Sequence, residues 1–207
     1  MGTDIHLSWQ IRKNGKWEVV ERVLDSYGNN CLRFRNYDNF ALLAGVRQGY
    51  GYIQVPIVPL RGFPSDMAGI EEEVTGMSEE AIVLLYEGYI YGKFGEYTRE
   101  RPDAWLGDHS FTWMSLSDMS NYPHWFKIRN NVGYITEEEK SNLPSSEACP
   151  VFWFVVPTGQ ATCRHEWQDC LAGTSYIYKE VFPAMEKLAE ENNIGPDDVR
   201  VVMGFDS

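Results

Sequence analysis

Two short Asp/His pairs are the residues of this sequence whose chemistry suits a metal site or acid–base catalysis. Asp4 and His6 stand near the N-terminus, and Asp108 and His109 are adjacent in the middle of the chain. Imidazole and carboxylate groups are ligands for Zn, Mn or Fe, so these four residues predict a divalent metal site as one alternative. Without a metal, His6 and His109 can act as general acid or base near neutral pH. Because no fixed spacing such as HExxH is present, purely structural histidines stay open as a third interpretation.

Three arginines, Arg35, Arg47 and Arg61, flank a predicted helix and a loop rich in proline and glycine. A guanidinium group makes bidentate contacts with phosphate or carboxylate, and loop-borne arginines are often placed for binding. Surface ion pairs with Asp38 and Asp66 are the alternative. Tyr37, Phe63 and Trp113 can stack a base beside the arginines. A place in the core is the alternative for Trp113, and Phe40 is interpreted as a core residue.

The cysteines suggest a second, weaker metal site. Cys149, Cys163, His165 and Cys170 have the right identity for Zn, but they lack the paired Cys-x-x-Cys spacing of structural zinc sites. Together with Cys31, the cysteines are also too sparse for a disulfide scaffold. We therefore interpret them as unrelated free thiols in a reducing cytoplasm.

Charge and missing motifs exclude several classes of function. The sequence contains no GxxxxGK[ST], no GxGxxG after a strand and no GxSxG, which removes P-loop ATPases, Rossmann enzymes and α/β-hydrolases. The net charge of −12 disfavours polymeric nucleic acid and anionic membrane surfaces. A small anion remains compatible with this charge because a pocket can concentrate a few cations.

Length and composition predict one domain over 1–207 and allow an inserted arm at 84–104, and the irregular alternation of strands and helices described below predicts the α+β class. Hydrophobic residues make up 43% of the 207, enough to form a core. The N-terminus lacks the pattern of a signal peptide, and no stretch is apolar enough to span a membrane, so a cytoplasmic protein is expected. The high aromatic content allows a homo-oligomer.

Hydrophobic periodicity predicts where the N-terminal elements lie. Alternation predicts a strand at 5–11, and Asn14-Gly15 predicts a tight turn to a second strand at 17–23. A helix capped by Asn36 or Asp38 is expected to end near Arg47, and 48–69 is expected to be an ordered loop.

The rest of the chain mixes short strands and helices. A helix is predicted at 81–91, a strand at 109–114 followed by a helix start at 115–119, a hairpin at 125–135, and a short helix capped at Thr136. The continuous apolar run 151–156 predicts a buried central strand. A longer C-terminal helix over 175–193, interrupted at Pro183, precedes a last strand at 199–205. We therefore expect an N-terminal β-hairpin, a mixed sheet, several short helices and a longer C-terminal helix.

Several blocks of sequence together resemble a family of uncharacterised proteins common in bacteriophage and prophage genomes. The resemblance is carried by M-G-T-D-I-H at 1–6, R-N-Y-D-N-F-A-L-L-A-G-V-R at 35–47, P-L-R-G-F-P-S-D at 59–66, D-H-S-F-T-W at 108–113 and the ending from Asp198 to Asp206. Thr3 replaces the cysteine of that family, which argues against a thiol-based role there. The resemblance implies a phage origin and brings no activity with it.

These observations lead to three hypotheses. The first is a phage protein that sequesters an anionic, nucleotide-type signal of host defence, with a site formed by Arg35, Arg47, Arg61, His6, His109 and Ser110. The second is a metal-dependent phosphoesterase acting on such a nucleotide through Asp4, His6, Asp108 and His109. The third is an acidic inhibitor that binds a host protein.

Overall fold

The computed structural model describes residues 3–32, 35–48, 54–66 and 109–206. The predicted helix at 81–91, the predicted arm at 84–104 and Asp108 lie outside these ranges. Within them the chain has an α+β architecture with an N-terminal hairpin and a longer C-terminal helix, as predicted.

A four-stranded sheet forms the larger part of the fold. Its strands lie in the order β2 (Lys16–Val20), β1 (Ile5–Lys13), β6 (Val199–Phe205) and β3 (His109–Ser115). All pairings between these strands are antiparallel, whereas the sequence had suggested a mixed sheet. Asn14 and Gly15 both have positive φ, which is the conformation of the predicted two-residue hairpin turn.

One face of this sheet carries the main core. The odd-numbered residues of β1 and β6 point to that face, because side chains alternate along a strand. They pack against α1 (Tyr37–Ala44) and α5 (Phe182–Asn192), with the Phe40 ring 5.3 Å from that of Phe205. The sheet is therefore covered on one side by helices.

Both helices lie within the predicted segments, but α1 ends at Ala44, before the predicted end at Arg47, and α5 begins at Phe182. The Asn36 side chain accepts a hydrogen bond from the backbone N–H of Asn39, and Gly45 ends α1 with φ 71°. A short π-helix, Ile177–Val181, runs directly into α5, and Pro183 lies in the first turn of α5. The predicted interruption at Pro183 is thus a new helix start.

Three short helices and a 3₁₀ turn complete the helical elements of the described ranges. They are α2 (Leu116–Ser120), α3 (Glu137–Asn142), α4 (Leu171–Thr174) and the turn Pro196–Asp198. Ser115 and Asp118 form a capping box at α2, and Thr136 caps α3 as predicted.

A separate two-stranded sheet joins β4 (Arg129–Ile135) and β5 (Cys163–Asp169) in antiparallel register. The predicted hairpin within 125–135 is wrong: Asn130 and Gly133 lie inside a continuous strand whose partner comes from β5. Gly133 is required by packing, since a Cβ there would lie 2.8 Å from Trp153 Cε3. The Trp153 and Trp167 rings cover this face of the small sheet, 5.3 Å apart.

The predicted buried central strand at 151–156 is also wrong. Phe154 forms one antiparallel bridge with Tyr134, but Val151, Phe152 and Val156 are 78%, 74% and 59% exposed. The central position of the large sheet belongs to β6, every residue of which is buried. Hydrophobic content alone does not distinguish a core strand from an exposed segment.

Candidate functional site

The polar face of the large sheet gathers arginine and tryptophan side chains. Across β1 and β2, Arg12 pairs with Trp17, and β6 places Arg200 opposite both Gln10 and Ser115. Residues paired across strands point to the same face. Arg12, Trp17, Arg200 and Ser115 therefore share the face that lies opposite the main core.

On this face the cations and rings alternate. The Arg12 guanidinium carbon lies 5.2 Å from the centre of the Trp17 ring, and that of Arg200 lies 3.7 Å from the same ring. Trp113 follows, with Arg200 at 5.8 Å and Arg61 at 4.8 Å from its ring centre. All these distances fall within the range of cation–π attraction. The series Arg12, Trp17, Arg200, Trp113, Arg61 is called the arginine–tryptophan stack below.

Arg200 is the buried centre of the stack. Its side chain is 2% exposed and its donors meet three acceptors: Nε donates to Gln10 Oε1 at 3.0 Å, Nη1 to Asp66 Oδ1 at 2.7 Å, and Nη2 to the Asp66 carbonyl at 2.9 Å. Trp17 Nε1 donates to the second carboxylate oxygen of Asp66 at 2.8 Å. The loop residue Asp66 is thus tied to the sheet by both members of the closest cation–ring pair.

The two outer arginines are also held by carboxylates. Arg61 donates from Nη1 and Nη2 to the two oxygens of Asp118, each at 2.9 Å, and Arg12 donates from Nε to Asp198 at 2.6 Å. Among the described residues, neither terminal amino group of Arg12 has a hydrogen-bond partner. The side chains of Arg12 and Arg61 are 39% and 28% exposed, so both can reach a ligand from a fixed position.

The carboxylates of this network are stabilised in their charged form. Burial raises the pKa of Asp118, but hydrogen bonds from Arg61 and from Ser115, with the Arg61 charge, outweigh it and leave the pKa below its ordinary value. The same competition lowers the pKa of Asp66, where Arg200 and Trp17 supply the hydrogen bonds. Burial lowers the pKa of Arg200, and its contact with Asp66 opposes this effect.

A cleft of about 490 Å³ opens along the stack. All five members line it, together with Pro64, Ser65, Asp66, Ser115, Asp118 and Asp197. Three guanidinium groups face three carboxylates in this lining, and Asp198 also holds Arg12, so the cleft carries no excess of positive charge. This volume lies within the range of small-molecule sites.

Of the arginines predicted from sequence, Arg61 lies in this cleft. Arg35 forms a bidentate ion pair with Asp4, and Arg47 donates from Nε to Thr3 Oγ1 at 2.6 Å. Asp4 and Thr3 directly precede β1, so Arg35 and Arg47 gather at the N-terminal end of that strand, and neither lines the cleft. The structure places the predicted arginines at two locations.

The two predicted histidines point to opposite faces of the large sheet. His6 pairs with Gly204 on the polar face, where its Nε2 lies 3.3 Å from Asp206 Oδ2, whereas His109 pairs with Phe205 on the core face. His109 Nδ1 is 2.9 Å from Ser110 Oγ, and its ring stacks on Phe205 at 6.3 Å. Among the residues that the structure describes, no group of three or more His, Cys, Asp or Glu side chains is arranged to hold a metal ion.

The four cysteines are free and dispersed. Cys31 is buried in the core, Cys149 is exposed, and Cys163 donates to Glu137 Oε1 at 2.8 Å. His165 contacts the carbonyl of Ala148 at 2.8 Å through Nε2. This contact ties His165 of β5 to the segment that precedes Pro150.

A second cavity, of about 570 Å³, lies between the start of α1 and the small sheet. Its charged lining consists of Asp38, Arg129, Asp169 and Lys179. Arg129 is held by Asp169 at 2.7 Å and by Thr174 Oγ1 at 3.0 Å. Because this cavity offers fewer guanidinium groups and no stacked cation–ring series, we take the arginine–tryptophan cleft as the candidate site.

Three residues of the cleft were not singled out from the sequence, namely Arg12, Trp17 and Arg200. The sequence nevertheless contains a signal for each of them. Arg12 and Trp17 flank the predicted turn at positions that must face each other in a two-residue hairpin. Arg200 is the single charged residue in the otherwise apolar strand V-R-V-V-M-G-F. A charged side chain in a buried strand must have a partner for its charge. The single arginine in this apolar strand is therefore a signal of a buried polar network.

Comparisons with known proteins place the chain in no family: no family model, no curated protein and no solved structure matches it. Within the described part of the chain, no helix is both long and apolar enough to cross a membrane.

Proposed function

We propose that the protein binds a small anionic ligand with a planar ring, of the nucleotide type, in the arginine–tryptophan cleft. The observation that carries the proposal is the alternation of three guanidinium groups with two indole rings along one cleft of about 490 Å³. Guanidinium groups bind phosphate or carboxylate oxygens, and aromatic or guanidinium planes stack on bases.

We assign the binding of the ligand's anionic group to the two outer arginines, Arg12 and Arg61. Arg12 keeps its terminal amino groups available within the described residues, and Arg61 keeps its Nε donor beside the bidentate contact with Asp118. Arg200 is assigned a positioning role, because it is buried beneath the cleft and fully engaged with Gln10 and Asp66. It holds Trp17 and Trp113 at fixed positions beside Arg12 and Arg61, and a ligand ring would stack on the guanidinium planes of these outer arginines.

The charge balance of the cleft limits the ligand. Since three carboxylates line the same space, a polyphosphate would meet repulsion from Asp66, Asp118 and Asp197. A ligand with one or two phosphates fits better than a triphosphate. Cyclic dinucleotides, with one phosphate for each base, and ADP-ribose derivatives, with a single diphosphate, are therefore the first compounds to test, and inorganic triphosphate is the negative comparison.

The proposed role is sequestration of such a nucleotide signal by a phage protein. It is supported by the resemblance to phage proteins together with the binding chemistry of the cleft. A sequestering protein returns its ligand unchanged after denaturation. Recovery of the intact nucleotide supports sequestration, and release of inorganic phosphate or of a cleaved product contradicts it.

A thermal-shift panel tests the binding class. Inorganic phosphate, inorganic triphosphate, a nucleoside, a nucleoside monophosphate, a cyclic dinucleotide and ADP-ribose are compared with the same protein preparation. Binding to the folded state raises the melting temperature with ligand concentration. We expect compounds that combine ring and phosphate to exceed either part alone. No shift with any of these nucleotides would contradict the proposal.

A further inference from the structure

The second cavity, of about 570 Å³, is lined by buried hydrogen-bonding groups that the protein leaves unused. Asn39 and Gln54 both line it and are 7% and 9% exposed. Gln54 Oε1 has no hydrogen-bond partner in the part of the chain that the structure describes. The backbone N–H of Asn39 binds the Asn36 cap, but the Asn39 side-chain amide forms no hydrogen bond with a described residue. Because a buried polar group without a partner is costly, a ligand that supplies the missing partners is stabilised in this cavity.

The charged groups of the cavity comprise one internal ion pair and two unpaired groups. Arg129 donates from Nε to Asp169 at 2.7 Å, and Asp169 is 8% exposed, so these two charges cancel within the protein. Asp38 and Lys179 form no ion pair with any residue in the described ranges. Lys179 Nζ donates only to the carbonyl of Gly173, at 3.2 Å. The cavity therefore offers a ligand one carboxylate and one ammonium group.

The surroundings of Asp38 favour a cation beside it. Asp38 lies in the first turn of α1, where loss of hydration raises the pKa of its carboxyl and the charge of Arg129 opposes this effect. No donor among the described residues replaces the lost hydration with a hydrogen bond. Two acceptors of one cavity, the Asp38 carboxylate and Gln54 Oε1, thus lack donors. An ammonium group supplies three N–H donors together with a positive charge.

A bare cation suits this cavity less well than a zwitterion. The charge of Arg129 reaches Asp38, and Lys179 adds a second positive charge to the lining, so both groups repel a simple cation. A carboxylate on the ligand makes Lys179 a partner instead, through a charge-assisted hydrogen bond. Much of the remaining wall is apolar or aromatic, and it consists of Leu42, Pro150, Val151, Trp153, Leu171 and Tyr176.

We propose that the second cavity binds a zwitterionic ligand, an α-amino acid with an apolar side chain. The ammonium group of the ligand binds Asp38 and the carboxylate binds Lys179. The side-chain amides of Asn39 and Gln54 form hydrogen bonds with the same two groups, and the apolar side chain of the ligand lies against the apolar wall. The volume of the cavity is within the range of small-molecule sites.

Three compounds that share one ring test the proposal on the wild-type chain. L-Phenylalanine carries both charged groups, phenylpropionate carries only the carboxylate, and phenethylamine carries only the ammonium. NMR titration up to about 10 mM covers millimolar dissociation constants. We expect phenylalanine to bind about tenfold or more tightly than either analogue, because each charge-assisted hydrogen bond contributes about this factor. The side-chain amide signals of Asn39 and Gln54 should shift as phenylalanine binds.

The same titration contains the results that would overturn the proposal. If phenethylamine binds as tightly as phenylalanine, the cavity is a cation site, and if phenylpropionate does, it is an anion site. L-Leucine and L-methionine extend the series to smaller apolar side chains. Absence of binding by all three amino acids would also overturn the proposal. None of these results depends on whether the arginine–tryptophan cleft binds a nucleotide.

Two variants assign the charged groups of the ligand. Asp38→Asn should lower the affinity for phenylalanine toward that of phenylpropionate, and Lys179→Met should lower it toward that of phenethylamine, by about tenfold in each case. Lys187→Met is the matched control, because Lys187 is exposed, pairs with Glu191 and lies outside the cavity, so phenylalanine should bind it as it binds the wild type. Unchanged binding in both cavity variants, or an equal loss in the control, would contradict the assignment. The wild-type series remains decisive if a variant fails to fold.

Discussion

The Arg200 guanidinium lies 3.7 Å from the centre of the Trp17 ring, and both side chains bind the same Asp66 carboxylate. A charged group with 2% exposure would be costly on its own. Here its charge is met by a carboxylate, two further oxygens and the ring face. The pair joins β6, the hairpin and the loop that carries Asp66, and so fixes the floor of the cleft.

Replacing Arg200 should destabilise the protein strongly. Arg200→Met keeps much of the volume but removes the contacts with Gln10 and Asp66, and we expect a loss of about 2–4 kcal/mol in the free energy of unfolding. Urea denaturation followed by far-UV circular dichroism measures it. Lys187→Met is the control, because Lys187 forms an exposed pair with Glu191, and its loss should cost below about 0.5 kcal/mol. Equal effects of the two substitutions would show that the buried network adds no stability.

Gly133→Ala should destabilise the small sheet. The added Cβ would lie 2.8 Å from Trp153 Cε3 and 3.2 Å from Trp167 Cη2, so one or both rings must move, at a cost of about 1–3 kcal/mol. Gly173→Ala in α4 is the comparison, since its Cβ would meet nothing closer than 3.9 Å. That substitution should be neutral or slightly stabilising. Tryptophan fluorescence during urea unfolding reports on both, and a Gly133→Ala protein as stable as wild type would contradict the packing described.

Lowering the pH should reduce the free energy of unfolding, because Asp118 becomes protonated. The pKa of Asp118 is lower in the folded chain than its ordinary value, so its contribution to stability is present above that ordinary value and is lost as the pH falls through the folded pKa. Asp118→Asn removes this contribution. Urea unfolding at a series of pH values should show wild type exceeding the variant at pH 7, with the difference shrinking below about pH 4. A difference that is constant with pH would contradict the ion pair with Arg61.

The N-terminal cap of α1 can be tested separately. Asn36→Ala removes the acceptor for the Asn39 N–H and should cost about 1 kcal/mol. Asn36→Ser keeps a side-chain oxygen and should restore most of that loss. Thermal unfolding of the three proteins makes the comparison. If serine and alanine are equally destabilising, the hydrogen bond is not the source of the effect.

The sequence predicted the elements whose signals are local. The hairpin at Asn14-Gly15, the cap at Asn36 and the new helix start at Pro183 all follow from backbone preferences of a few residues. The run 151–156 was predicted as a buried strand because its composition is apolar, yet its neighbours in space come from distant parts of the chain. Burial depends on those long-range contacts, which a local pattern does not contain.

The candidate site was predictable only in part. Arg61 and Trp113 were singled out from sequence, and the structure brings them together at 4.8 Å. Arg12 and Arg200 join them through strand pairing between β1, β2 and β6, with Trp17 between the two. The order in which strands pair depends on the whole sheet, so it cannot be inferred from the sequence of any one strand. Arg35 and Arg47, equally plausible as sequence candidates, instead contact Asp4 and Thr3.

Calorimetric titration of a cyclic dinucleotide or ADP-ribose into matched variants tests the central proposal most directly. Arg61→Gln should weaken binding by about 10- to 100-fold, the value of one or two charge-assisted hydrogen bonds. We expect the same loss in the double variant Arg61→Gln with Asp118→Asn, whose net charge equals that of the wild-type protein. Arg22→Gln, which changes an arginine 69% exposed beside Glu21 and outside the cleft, should bind as wild type does. Binding that is unchanged in both Arg61 variants, or absent from the wild-type protein, would contradict a ligand site in the arginine–tryptophan cleft.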